Sequence, residues 1–299
     1  MKLTVFLSLL ATPLMVLSLA LSIDTNTTTP ITVTKVSPSY WRATFSFPPF
    51  NIQTNAWYAA LYDLISDLAA DPAVKVIVFD SSVPDFYIAH FDLLKPVDSE
   101  LVDGLWSNVT HLANLPVLSI AAVRGIAHGG GAEFAAAMDV RFASREKAVF
   151  GQLEVGLGSL PGGGGISLLP RLVGRSRALE IVLGAQDLDA DTAAAYGWIN
   201  RAVPDAQLED FVDTFARRVA SFDKNAIVEA KRIINERAGF PTVEEQAEDW
   251  KAALSLLSTS GVQTRVAKMV ELGLQTDVDF EVHAADRLME VQGEGPWKV

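Results

Sequence analysis

The chain is 299 residues long with a formal net charge of −12, 49% hydrophobic and 20% charged residues, enough to bury a substantial core and too apolar to stay disordered. The charge, with no basic run to offset it, excludes a nucleic-acid binder; the absence of cysteine excludes disulfides, thiol nucleophiles and thiolate metal sites. The four histidines (His90, His111, His128, His283) include no pair at zinc-motif spacing, so no metal is expected.

Lys2 is followed by an apolar run from Leu3 to Leu21 and then by the polar stretch Ser22 to Thr29. One positive charge, an apolar centre and small residues at Ala20 and Ser22 suit a cleaved secretory signal over 1–22, with 23–30 as a polar lead. An uncleaved membrane anchor or a buried helix are the alternatives, and Pro13 argues mildly against a spanning helix. Secretion is therefore the expected localisation, with an anchored or intracellular place as the alternatives. Asn26 and Asn108 each head an Asn-x-Thr sequon, which gains meaning only in a secretory pathway.

Alternating residues at Ile31–Val36 and Trp41–Phe47 predict two strands around the turn Ser37-Pro38-Ser39, and Pro48-Pro49 stops the second. Apolar residues at helical spacing (Trp57, Leu61, Leu64, Ile65, Leu68) predict a helix over 56–70, ended by Asp71-Pro72. The run Val74–Phe79 reads as a buried strand, followed by a helix around Leu101–Ala113 and a strand over Val117–Val123. Helix-then-strand repetition points to an α/β fold with right-handed crossovers. Beyond Gly197, the segments Leu208–Ser221, Ala226–Ala238, Val243–Ser258 and Val262–Leu274 read as amphipathic helices with no strand between them. Such a tail suggests packing or assembly.

The glycine-rich segments carry the chemistry. Gly125-Ile126-Ala127-His128-Gly129-Gly130-Gly131-Ala132-Glu133 joins a strand to an Ala-rich helix. Successive glycines there let backbone N–H groups approach a ligand, at a helix N-terminus where negative charge is stabilised. A second segment, Phe150-Gly151-Gln152-Leu153-Glu154, leads into Pro161-Gly162-Gly163-Gly164-Gly165. A lone glycine turn is ordinary scaffolding. Two of them, each with a glutamate in an apolar setting, are harder to explain that way, although Glu133 alone would also suit a helix N-terminus.

These segments resemble the crotonase (enoyl-CoA hydratase/isomerase) superfamily. Further likeness lies in Pro49-Phe50-Asn51, in Tyr87-Ile88-Ala89-His90-Phe91-Asp92-Leu93, in Leu172–Ala178 and in Ala193–Gly197 with Asn200. The resemblance implies a spiral of repeated ββα units of the ClpP/crotonase type over 31–200, followed by a C-terminal helical segment over 201–299 that mediates assembly. It implies an oxyanion hole made by the backbone N–H groups of Ala89 and Gly130, and acid/base glutamates at Glu133 and Glu154. His90, Asp92, Gly129, Gly131, Pro161 and Gly162 become candidate substrate contacts. Family isomerases manage with one acid/base, so two glutamates favour water addition to, or elimination from, a 2-enoyl thioester. A double-bond isomerase, a thioester hydrolase and a non-catalytic secreted member are the alternatives. The resemblance also implies a homotrimer or hexamer, coenzyme A as part of the substrate, and no permanently bound cofactor.

Departures from the family pattern are visible. His90 stands where the family usually has glycine, as a channel wall, an extra polar contact or a third acid/base. Phe50 replaces a frequent Lys or Arg that contacts coenzyme A phosphates, a loss that Lys35, Arg42 or Arg124 would have to offset. The tail from Gln263 to Val299 lacks the basic ending typical of the family.

Overall fold

A computed structural model describes residues 29–95 and 112–292. The apolar N-terminal run and both sequons lie outside these residues, and the helix expected around Leu101–Ala113 is described only from Leu112.

Among the described residues, ten strands form two sheets. Their bounds are β1 (Ile31–Ser37), β2 (Tyr40–Phe45), β3 (Val76–Ser81), β4 (Phe86–Ile88), β5 (Leu118–Val123), β6 (Ile126–His128), β7 (Val140–Ser144), β8 (Val149–Gly151), β9 (Leu188–Asp189) and β10 (Arg201–Val203). The larger sheet has the order β1-β2-β3-β5-β7-β10 and the smaller β4-β6-β8-β9. The pairs β3/β4, β5/β6 and β7/β8 each place their first strand in the large sheet and their second in the small one. Between large-sheet neighbours from β2 onward the pairing is parallel, and only β1/β2 and β8/β9 are antiparallel. This is the crotonase-type spiral. The interior strands read as continuous apolar runs because parallel strands are covered on both faces; β5, for example, is buried at five of its six positions.

Helices fill the turns of the spiral. They are α1 (Asn55–Ala70), α2 (Gly130–Ala137), α3 (Glu154–Leu157), α4 (Gly165–Val173), α5 (Arg175–Gly184) and α6 (Ala190–Tyr196). Thr54 caps α1 by accepting the Trp57 N–H at 3.3 Å. Phe45, fully buried, meets Trp57, Phe79, Tyr87 and Phe134 at centroid distances of 5.8, 6.2, 5.4 and 5.7 Å. At roughly 0.5–1.5 kcal/mol per pair beyond area burial, this cluster pins β2, β3, α1 and α2 together. It thereby fixes Phe134, the neighbour of Glu133.

The tail comprises α7 (Asp205–Ala220), α8 (Lys224–Ala238), α9 (Val243–Leu257), α10 (Ser260–Leu272), α11 (Val278–Val282) and α12 (Ala284–Val291). Two expectations are corrected here. The sheet does not end at residue 200, because β10 pairs in parallel with β7. Nor is the whole tail without a sheet to cover: Leu208, Val212 and Ala216 of α7 pack with Val76, Val78 and Ile120 of β3 and β5. Short strands such as Arg201–Val203 are invisible to a periodicity argument. Further on, α10 to α12 join Leu153 and Leu157 in a separate apolar cluster through Met269, Leu274, Phe280 and Leu288.

Candidate active site

A cavity of about 130 Å³ opens between α2, α3 and the tail helices α9, α10 and α12. Glu133 and Glu154 both line it, together with His90, Gly129, Gly130 and Gly162. The two glutamates are held differently. Glu133 is 4% exposed, and its Oε1 accepts the N–H groups of Gly163 at 2.6 Å and Gly165 at 2.9 Å. Those donors start α4, so the carboxylate sits at a helix N-terminus, where negative charge is favoured. A Cβ on Gly163 would collide with the Glu133 carboxylate, which is why glycine is required there. Burial pushes the Glu133 carboxyl up to about 7, against the downward pull of the two backbone donors.

Glu154, at the first position of α3, receives no such pair of donors. Burial first, and the charge of Glu133 second, push it well above the usual carboxylate range. The charge of Glu133 acts on Glu154, so the two groups titrate as a coupled pair. The two backbone donors favour the anion at Glu133, and Glu154, without them, takes up a proton more readily. The Gln152 amide lies 3.1 and 3.3 Å from the Glu154 oxygens. Its oxygen suits a protonated Glu154 and its nitrogen suits the anion.

The assignment of Ala89 to an oxyanion hole is corrected. Its N–H donates to the Phe50 carbonyl at 3.0 Å and is not available to a ligand. Two residues on, Gln53 N–H donates to the His90 carbonyl and Asp92 N–H to the Gln53 carbonyl, at 3.0 and 3.2 Å. That register leaves the Phe91 N–H without an acceptor among the described residues, and a Cβ on Gly130 would stand 3.6 Å from it. Gly130 opens α2, so its N–H has no intrahelical partner either. The free donors that face one another are therefore Phe91 and Gly130.

Three other candidate contacts do not reach the cavity. Asp92 is buried, accepting from the Leu94 and Lys95 N–H groups at 2.9 and 3.3 Å and from Gln275 Nε2 at 3.0 Å. It closes the turn after the Phe91 donor. Gly131 lies against β4, where a Cβ would collide with the Ile88 carbonyl, and Pro161 packs beside Gly165. Gly129 keeps its place in the wall with φ of 46°, a conformation glycine adopts without strain.

His90 is a wall residue tied to the tail. Its Nδ1 lies 2.7 Å from the Phe91 carbonyl and its Nε2 3.2 Å from both oxygens of Glu281, which is fully buried on α11. Gln275 completes the tie, its N–H donating to Glu281 at 2.5 Å while its side chain bridges Asp92 and Leu93 N–H. The other cavity histidine, His128, is 1% exposed and bonds Asp187 at 2.7 Å. None of Lys35, Arg42 and Arg124 lines the cavity, and each pairs with a carboxylate: Asp71, Asp80 with Glu209, and Asp205. Phe50 is buried against Phe86.

Sequence reasoning missed the wall built by Trp250, Ala253 and Leu257 of α9, by Met269 and Leu274, and by Ala284. Trp250 stands 6.0 Å from Phe91, and Phe91 6.3 Å from Tyr58, measured between ring centroids. The helical apolar spacing of these residues was readable; what they cover was not.

Residues 42–271 match the family model described as enoyl-CoA hydratase/isomerase. The chain is 35% identical over 182 residues to the crotonyl-CoA hydratase of Syntrophomonas wolfei, 58% of this chain and 69% of that protein. It is 39% identical over 152 residues to the mitochondrial methylglutaconyl-CoA hydratase of Mus musculus, 49% of this chain but only 48% of that relative's length. A Streptomyces avermitilis protein, solved under the description of an enoyl-CoA hydratase, superposes with a TM-score of 0.82 at 38% identity, over 87% of this chain and 96% of that one.

Proposed function

We propose a function on one premise: the chain belongs to the enoyl-CoA hydratase/isomerase family. It adds water across the double bond of a 2-enoyl thioester, or removes it in the reverse direction, with coenzyme A as the carrier and no permanently bound cofactor. The observation that carries this reading is a pair of glutamates facing one cavity, one held by two backbone donors and the other without such a pair.

Each step uses groups of this chain. Water lies between the two carboxyl groups, and ionised Glu133 takes its proton as the oxygen bonds to C3. The electron pair of the C2–C3 double bond moves through the thioester, leaving an enolate oxygen between the N–H groups of Phe91 and Gly130. Two such donors matter greatly, since removing one typically costs about 2.7–4 kcal/mol of barrier. Protonated Glu154 then delivers its proton to C2. Stopping proton transfer at either carboxylate removes about 10²–10⁴ in rate.

The test is direct. Incubation with a 2-enoyl-CoA in H₂¹⁸O should give the 3-hydroxyacyl-CoA carrying ¹⁸O at C3. A product with a shifted double bond and no added oxygen would overturn hydration in favour of isomerisation, and free coenzyme A would indicate hydrolysis. Assembly belongs to the same proposal: a homotrimer, or a dimer of trimers, held through α8 and α9, where Ile234 and Leu254 are exposed at 63% and 43%.

A further inference from the structure

We infer that the acyl group this site accepts is uncharged and ends in hydrocarbon, and that an acyl chain bearing a distal carboxylate is rejected. The inference rests on the thioester reading above and adds the chemistry of the substrate's far end.

The charges on the cavity wall carry it. Among the described residues that line the cavity there is no lysine and no arginine. The two acids of the wall are Glu133 and Glu154, and the charge of Glu133 already works against a second negative charge on Glu154. Its two imidazoles are committed, His90 to Glu281 at 3.2 Å and His128 to Asp187 at 2.7 Å. The nearby cations are engaged elsewhere or face water. Arg265 bonds the Leu157 carbonyl and the Gln292 amide from behind the wall, and Lys95 is exposed.

What remains for the acyl chain is mostly apolar, with Gln53 and Ser159 among its uncharged polar side chains. The aromatic row Tyr58–Phe91–Trp250 meets Ala253 and Leu257 of α9. A carboxylate lodged there would lose its hydration with no counter-ion in return, and a buried charge without a partner is among the costliest groups a site can take in. It would also bring a further negative charge to a wall that already carries Glu133 and Glu154.

Two acyl-CoA pairs of matched length test this. 2-Pentenoyl-CoA and glutaconyl-CoA each have five acyl carbons and differ at the last, methyl against carboxylate. The pentenoyl thioester should be hydrated with at least about 10²-fold higher kcat/KM. Comparable turnover of both, or preference for glutaconyl-CoA, overturns the inference. Pentanoyl-CoA and glutaryl-CoA cannot be hydrated, so calorimetric binding of this pair reads the charge preference even if the hydratase reading fails. At least tenfold tighter binding of pentanoyl-CoA supports the inference, and equal or tighter binding of glutaryl-CoA sinks it. Leu257→Arg, at a half-buried wall position, should narrow the kinetic ratio by tenfold or more; an unchanged ratio would mean that wall charge is not its cause.

Discussion

The Glu281 carboxylate grips the His90 imidazole at 3.2 Å across 191 residues of sequence. Burial alone would lower the His90 imidazole, yet Glu281 holds it above its ordinary value. Burial alone would raise Glu281, yet His90 holds it below the usual carboxylate range. A raised imidazole contributes stability below its unfolded value, about 6.5, and loses it as pH rises through the folded one; a depressed carboxylate contributes above about 4.3 and loses it as pH falls. Glu281→Gln should therefore cost most, about 1–3 kcal/mol, in the window of about pH 5–6.5. The Tm difference from wild type should shrink toward pH 9. Thermal melts across pH check this, and a difference independent of pH would remove the ion pair as its cause.

The glutamate pair, like the His90 imidazole, weakens the fold as pH rises. Both carboxyls are raised in the fold, so their stabilising contribution belongs to the protonated form and disappears as pH rises, through about 7 for Glu133. Glu154→Gln should raise Tm above wild type at alkaline pH while lowering turnover by at least about 10². Glu133→Gln should lose turnover to a similar degree, and wild-type kcat should decline on the alkaline side as Glu154 loses its proton. Wild-type turnover in either variant would end the two-carboxylate mechanism.

Gly130→Ala tests the corrected oxyanion hole. Its Cβ would strike the Gln53 side chain and stand 3.6 Å from the Phe91 N–H, in the space an enolate oxygen needs. The expected loss in kcat is about 10²-fold or more, with a smaller change in KM. Adding Gln53→Ala should restore stability by relieving the clash but not turnover. Recovery of turnover in the double variant would make the effect one of packing.

Sedimentation equilibrium at micromolar concentration should give three or six copies of the chain. Ile234→Glu, on the exposed face of α8, should shift the distribution toward monomer without unfolding the spiral. A stable wild-type monomer would contradict the proposed assembly.

Much of the fold was legible because its signals are local. The β-branched run at Val76–Phe79, the Asp71-Pro72 stop after α1 and the glycine turns before Glu133 and after Glu154 all act within a few residues. The site was legible where chemistry follows residue type, as with the two glutamates. It was not legible where it depends on which backbone groups are already spent. Nothing in Ala89-His90-Phe91 tells that Phe50 takes the first N–H and leaves the third free. Asp92 misled for a related reason, since a carboxylate beside a site and one closing a turn look alike in sequence. The Glu281 tie and the α9 wall are contacts between distant segments, which periodicity does not encode.

The wall that Met269, Leu274 and Ala284 give the cavity has a consequence for biosynthesis. Translation adds residues in order, so both glutamates and both free N–H donors emerge from the ribosome more than a hundred residues before Glu281 and Ala284. Until Met269, Leu274 and Ala284 are in place the cavity lacks that part of its wall, and burial raises the glutamates less. A chain released early by a stop codon within α10 would thus keep every group that performs the chemistry and still lack part of the wall that buries it.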